Sequence, residues 1–130
     1  MYSKTTNGVK VTATTEYLKK DSAPEEGKFL WLYTITIENF NTHSVQLLRR
    51  KWFITDEAGA SFVIEGEGII GEQPLIKPGE GYKYLSGTPL SSPSGMMMGT
   101  YFLIDDKGDA FEVDIPAFSL DSPHHTKMLN

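Results

Sequence analysis

There is no cysteine among the 130 residues. That excludes a disulfide scaffold, a thiolate metal site and a cysteine nucleophile. Long hydrophobic runs are missing as well. No apolar stretch approaches the roughly 18 residues of a membrane-spanning helix. The opening "MYSKTTNGVK" carries no apolar signal core. A soluble, cytoplasmic protein that does not span a membrane is the expectation. Basic charge is scarce: 12 Lys and Arg stand against 17 Asp and Glu, for a formal net charge of −5. Nucleic-acid binding needs a clustered basic face to neutralise phosphates, so no nucleic acid is expected as a partner. Helical periodicity with proper caps is also absent.

What is present is a period of two. In "VKVTATTEYL" Val9, Val11, Ala13, Thr15 and Tyr17 share one face. In "FLWLYTITIEN" Phe29, Trp31, Tyr33, Ile35 and Ile37 do the same. Aromatic and β-branched residues fill both runs, as half-buried strands prefer. In "VQLLRRKWFITD" strict alternation sets Leu48, Arg50, Trp52 and Ile54 against Val45, Leu47, Arg49, Lys51 and Phe53. "ASFVI", "GYKYLSG", "MMMGTYFLID" and "DAFEVDIPAFSL" complete the set. Hairpin turns fall at Glu57-Ala58-Gly59 and at "DDKGD", where Gly108 supplies a positive φ. Pro116 and Pro123 mark the last strand as an edge. About seven strands in one such chain predict an all-β, antiparallel β-sandwich. It is immunoglobulin-like, or better fibronectin III-like, because the Cys-Trp-Cys triad of antibody domains is missing. One domain spans 1–130, with a core over about residues 9–120 and frayed polar ends.

Chemistry-bearing motifs are few. "EGEGIIGEQP" holds Gly66, Gly68 and Gly71 as G-x-G-x-x-G. A dinucleotide fingerprint requires a helix to begin inside the motif, so that free amides face a pyrophosphate. Pro74 and Pro78 exclude that helix. Glu65, Glu67 and Glu72 would repel the phosphates, and no ribose-binding acid follows at the proper distance. The glycines are expected to serve turns, a bulge or close backbone approach.

Glu65 and Glu67, together with Glu72 or with Asp105 and Asp106, are candidates for an oxygen-ligated Mg²⁺ site, weighed against a solvated acidic rim. His43 stands alone, and His124 and His125 are adjacent in the tail, a poor spacing for one ion. No metal and no cofactor is expected. The serines of "SGTPLSSPSG" lie outside any nucleophile elbow, so no catalytic residue is assigned and the chain is expected not to be an enzyme. Two stretches suit binding. "RRKW", Arg49 to Trp52, mixes cations with an aromatic ring. "GMMMG", Gly95 to Gly99, must place at least one methionine on an outer face, and methionine is favoured at adaptable interfaces.

Several stretches together resemble one family. They are "YTITIEN", "VQLLRRKWFITD", "EGEGIIGEQPLIKPGEGYKYLSGTPL", "SPSGMMMGTYFLID" and "FEVDIPAFSL". The strings G-E-G-x-x-G-E-Q-P and P-x-G-x-M-x-G-x-Y are quite specific, and by them the chain is identified as a member of the bacterial ApaG family from about Val9 to Leu120. It departs at Ser92-Pro93, where members often read Thr-Pro, and at Thr88, where some carry Cys. The resemblance implies a fibronectin III-like sandwich. It also implies a link to Co²⁺ resistance and Mg²⁺ efflux, since members carry that label, and a presumed interaction role, since a related domain occurs in some eukaryotic F-box proteins. The bacterial gene often accompanies a diadenosine tetraphosphate hydrolase. A chain without a membrane span can affect efflux only indirectly. The expected function is therefore a non-enzymatic module acting through an unidentified protein partner. Its expected contact region comprises Gly66, Glu67, Gly68, Gly71, Glu72, Arg50 and Met97. The alternative is a small-ligand module that binds pyrophosphate or nucleotide, with or without Mg²⁺, at the GEGIIG loop.

Overall fold

A computed structural model describes residues 1–123. The strands run in the order β1 (Tyr2–Thr6), β2 (Val9–Tyr17), β3 (Phe29–Asn39), β4 (Val45–Asp56), β5 (Ser61–Glu67), β6 (Leu75–Ile76), β7 (Gly81–Leu90), β8 (Ser94–Asp105) and β9 (Ala110–Asp121). Two short 3₁₀ turns, Lys19–Asp21 and Pro24–Glu26, join β2 to β3. One sheet has the order β1-β2-β3-β7, the other β5-β4-β8-β9, with β6 also on β4. All pairings are antiparallel. Three strands (β2-β3-β7) facing four (β5-β4-β8-β9) is the arrangement of a fibronectin III-like sandwich, with β1 added at one edge.

The alternation in the sequence builds this core directly. Phe29, Trp31, Tyr33, Ile35 and Ile37 of β3 are all buried, while the residues between them are not. They meet Trp52, Ile54, Leu103, Val113 and Phe118 of the other sheet in one hydrophobic cluster. Tyr33, Trp52 and Phe118 pack ring against ring at centroid distances of 5.4–6.3 Å. Both expected hairpin turns form, with Gly59 and Gly108 at φ 90° and 84°. β9 is an edge strand, as Pro116 indicates, while Pro123 lies beyond its end.

Three local expectations are corrected. The N-terminus is not frayed: residues 2–6 pair with β2 in full register. β6, too short to show periodicity, was not foreseen either. The third correction lies in β4. Val45 and Leu47 are buried on the same side as Trp52 and Ile54, not on the opposite one. The register on β8 slips between Leu47 and Arg49, so Leu48 is the extra residue of a bulge. One inserted residue reverses the parity of everything beyond it. Val45 and Leu47 consequently share the inward face with Arg50, Trp52 and Ile54.

The two long edges of the sandwich differ. On one, β1 lies against β9. Lys4 pairs with Asp114 at 2.8 Å, Asn7 Nδ2 donates to the Glu112 carbonyl, and the Tyr2 and Ser119 hydroxyls are bonded. On the other, β5 and β7 stand apart, and Phe62 and Ile64 on the inner face of β5 remain exposed. The functional candidates gather at this open edge.

Candidate functional site

The glycine motif straddles the end of β5. Gly66 is still in the strand, paired with Arg50. After Glu67 the chain leaves β4, loops outward, and rejoins the same edge of β4 as β6. The detour stands opposite the Leu48 bulge. The Leu48 carbonyl accepts the Gly68 amide at 2.7 Å and Gln73 Nε2 at 3.0 Å. Ile69 and Glu72 exchange backbone hydrogen bonds across a tight turn. Its two central residues, Ile70 and Gly71, have φ of 49° and 78°. That is the backbone of a type I′ turn.

Each motif glycine has its own reason. A Cβ on Gly68 would stand 2.1 Å from the Glu72 carbonyl oxygen. A Cβ on Gly66 would stand 2.9 Å from Arg50 Nη1. Gly71 meets nothing and is required only by its φ. The Gly68, Ile69 and Glu72 amides are all spent on carbonyls of the protein. No helix starts in the loop, so the anion cradle of a dinucleotide site is not built here.

Beneath the loop lies a half-enclosed cavity of about 190 Å³, with Arg50, Tyr33, Trp52, Ile64, Ser86 and Thr88 among its walls. Arg50 enters it because it shares the inward face of β4 with Trp52 and Ile54. Its Nη1 donates to the carbonyls of Gly68 at 2.8 Å and Glu67 at 3.2 Å. Among the described residues no carboxylate lies within ion-pair distance of it. Facing it, β7 presents a hydroxyl at four successive inward positions: Tyr82, Tyr84, Ser86 and Thr88. The Tyr84 and Tyr101 hydroxyls are hydrogen-bonded to each other in the interior. Burial pushes the Tyr33 phenol above its ordinary value, while a Ser86 hydrogen bond and the Arg50 charge act the other way. Tyr84 and Tyr101 are raised further, chiefly by burial, again with Arg50 opposing. The tyrosines are thus neutral hydrogen-bonding groups beside a cation. Glu72 closes the rim by accepting the Tyr82 hydroxyl at 2.9 Å, which ties the loop to the opposite sheet.

The sequence-derived residues divide accordingly. Gly66, Glu67, Gly68, Gly71, Glu72 and Arg50 are brought together at this edge. Met97 is not available for contact: it is 1 % exposed and lies in the core. The exposed methionines are its neighbours, Met96 and Met98, on the outer face of β8. The register sets Met98 beside Phe53 and Phe53 beside Val63. These four side chains are 40–52 % exposed. Next to them is a shallow hollow bounded by Phe53, Met98, Pro116 and Ala117.

The acidic residues do not converge. Glu65 pairs with Lys51 at 3.3 Å, and Asp105 caps the β8–β9 turn through the Lys107 and Asp109 amides. Those bonds, the Asp109 amide first, hold the Asp105 carboxyl below its usual range. Among the described residues no group of three or more His, Asp or Glu is placed to hold a metal ion. His124 and His125 lie outside the described residues. No helix among the described residues is long and apolar enough to cross a membrane.

Sequence reasoning missed Tyr33, Tyr84, Tyr101, Ser86 and Thr88. A signal existed: in "YKYLSGT" every second residue from Tyr82 to Thr88 carries a hydroxyl. Read alone, that pattern looks like a solvent face.

The class of protein that this architecture defines is a fibronectin III-like β-sandwich with a glycine loop on its open edge. Residues 19–105 match the family model described as the ApaG domain. The chain is 50 % identical to Protein ApaG of Paramagnetospirillum magneticum over 130 residues, all of both chains. It is 51 % identical to Protein ApaG of Rhodospirillum centenum over 124 residues, 95 % of each. A crystal structure of an ApaA protein from Bordetella pertussis superposes with a TM-score of 0.87 at 38 % identity, over 90 % of this chain and 95 % of that one. The C-terminal domain of Wzt shares the fold at a TM-score of 0.58 and 12 % identity, covering 96 % of this chain and 79 % of that one. The chain belongs to the ApaG family.

Proposed function

We propose that this domain is a non-enzymatic interaction module that docks a protein partner on the outer face of the β5-β4-β8-β9 sheet. The observation that carries the reading is the run of Val63, Phe53, Met98 and Met96. These are large apolar side chains, adjacent by register, on a face that no other described residue covers. Exposed apolar clusters with a polar rim mark association surfaces. Here the rim is Lys51 with Glu65 on one side and Lys4 with Asp114 on another. Fully covering one such side chain is worth about 1.5–3 kcal/mol. A partner that presents apolar side chains to the hollow beside Met98 would therefore find a few strong anchors. A link to Co²⁺ resistance and Mg²⁺ efflux, which the family resemblance implies, runs through that partner.

The test compares lysate capture by the native chain, by Phe53→Lys and Met98→Lys, and by Leu85→Lys. Leu85 is equally exposed but belongs to the other sheet. A partner lost with the first two variants and kept with the third supports the docking face. Equal recovery by all four chains, or recovery by none, overturns it.

A further inference from the structure

The Arg50 cavity is separate from the docking face: it lies on the inner side of the sheet and opens between β5 and β7. We propose that it is a binding site for a small monocarboxylate with a compact apolar tail.

The argument begins with unused donors. A guanidinium offers five N–H groups in a planar fork. Nη1 is committed to the Glu67 and Gly68 carbonyls. Nε and Nη2 have no partner among the described residues, and no carboxylate neutralises the charge. The two Nη1 bonds fix the plane of the fork, so the remaining edge is held in one orientation. Bidentate capture of a carboxylate uses that kind of edge. Arg50 is half-buried, so water screens its charge only in part, and a cation held there without an acid partner carries some desolvation cost. The loop nonetheless grips it, and Gly66 leaves room for it.

The walls set the ligand class. Ser86 and Thr88 supply hydroxyls near the charge, while Trp52, Ile54 and Ile64 supply apolar surface. About 190 Å³ holds roughly six waters, too little for a nucleotide. One guanidinium balances one negative charge. Glu72, held beside the cavity by Tyr82, works against a polyanion such as pyrophosphate.

The experiment follows the Arg50 Nε–H and Trp52 indole N–H resonances of the labelled full chain. The probes are sodium isobutyrate, benzoate, inorganic phosphate and pyrophosphate. Saturable shifts at both resonances are expected with isobutyrate or benzoate, at an affinity about tenfold or more above that for phosphate. Arg50→Met should abolish the Trp52 shift. Gly66→Ala is the second variant: its φ is ordinary, and its new Cβ displaces only the flexible guanidinium. It should stay folded and weaken binding about tenfold through misorientation of the fork. Absence of saturation at millimolar carboxylate, tighter binding of phosphate or pyrophosphate, or equal binding by Gly66→Ala would each overturn the assignment. Neither variant touches the Phe53 and Met98 surface, so failure here leaves the docking face standing.

Discussion

Alanine placed at each motif glycine in turn should give three different losses, because each glycine answers a different constraint. At Gly68 the φ of +62° costs an alanine about 1–2 kcal/mol. Its Cβ would also lie 2.1 Å from the Glu72 carbonyl oxygen. That atom is backbone and cannot swing aside. The turn must open, which strains the Gly68-to-Leu48 and Ile69-to-Glu72 bonds, both 2.7 Å. Each is worth about 1 kcal/mol net. Ile69, fully buried beneath the turn, loses packing as well. The sum is about 3–4 kcal/mol.

At Gly71 only the φ of +78° counts, since nothing lies within 4 Å of the new Cβ. The strain is partly offset by about 0.4–1 kcal/mol of lost unfolded-state entropy, which leaves a cost near 1 kcal/mol. At Gly66 the φ is ordinary and the obstacle is a movable guanidinium, so about 1 kcal/mol is expected from weakened Arg50 bonds. Urea unfolding followed by tryptophan fluorescence reads these differences directly. In thermal terms Gly68→Ala should lower Tm by roughly 10–15 °C and the other two by about 4 °C. If Gly68→Ala falls within 1 kcal/mol of Gly71→Ala, by the same scale, the close-approach argument is wrong. If all three variants are as stable as the parent, the glycines serve a ligand and not the backbone.

Two further outcomes follow. Ile70 is β-branched, 66 % exposed and held at φ 49°, so Ile70→Asn, the residue type this turn position favours, should raise stability by about 1 kcal/mol in the same urea assay; a loss would mean that Ile70 packs usefully. Tyr33, Tyr84 and Tyr101 hold their protons above the ordinary value of 10.0, so the folded state binds more protons than the unfolded one at alkaline pH. Their contribution is intact below pH 10 and lost as pH rises beyond it toward the raised values. The slope is about 1.4 kcal/mol per pH unit for each proton retained. Urea midpoints between pH 9 and 11.5 should therefore fall, and Tyr101→Phe should flatten the fall; an unchanged slope would refute the assignment.

Much of the fold was legible because β3 has one register that buries its aromatics, and alternation alone finds it. β1 was not legible: "YSKTT" has no apolar face, and its place comes from pairing with β2 and polar contacts to β9. In "GMMMG" alternation requires one methionine to oppose its neighbours, but three identical residues cannot say which. The pairing settles it: Met97 lies opposite Ile54 and shares its face of β8 with the buried Tyr101 and Leu103. Arg50 was placed correctly by alternation, on one face with Trp52 and Ile54; what alternation could not show is the bulge, which brings Val45 and Leu47 to that face as well. The glycine loop was read more securely, since its prolines and acids exclude a helix whatever the tertiary context.

Local rules fail on one edge of this sandwich and hold on the other. The β1–β9 edge has a satisfied ion pair and hydrogen bonds between sheets. At the β5–β7 edge a cation points inward without an acid, and a β-branched residue occupies a left-handed turn position. There too β4 carries its bulge and a seven-residue strand keeps Phe62 and Ile64 uncovered. Violations scattered over a surface would suggest tolerance of neutral change. Violations gathered around one loop and one cavity suggest that stability was given up there for something else. The consequence is a direction of trade. Changes that regularise the edge, such as Ile70→Asn or an apolar residue at Arg50 packed against Trp52, should leave the sandwich as stable or more so while weakening whatever this edge binds. Changes on the β1–β9 edge should cost stability and leave binding in the Arg50 cavity alone.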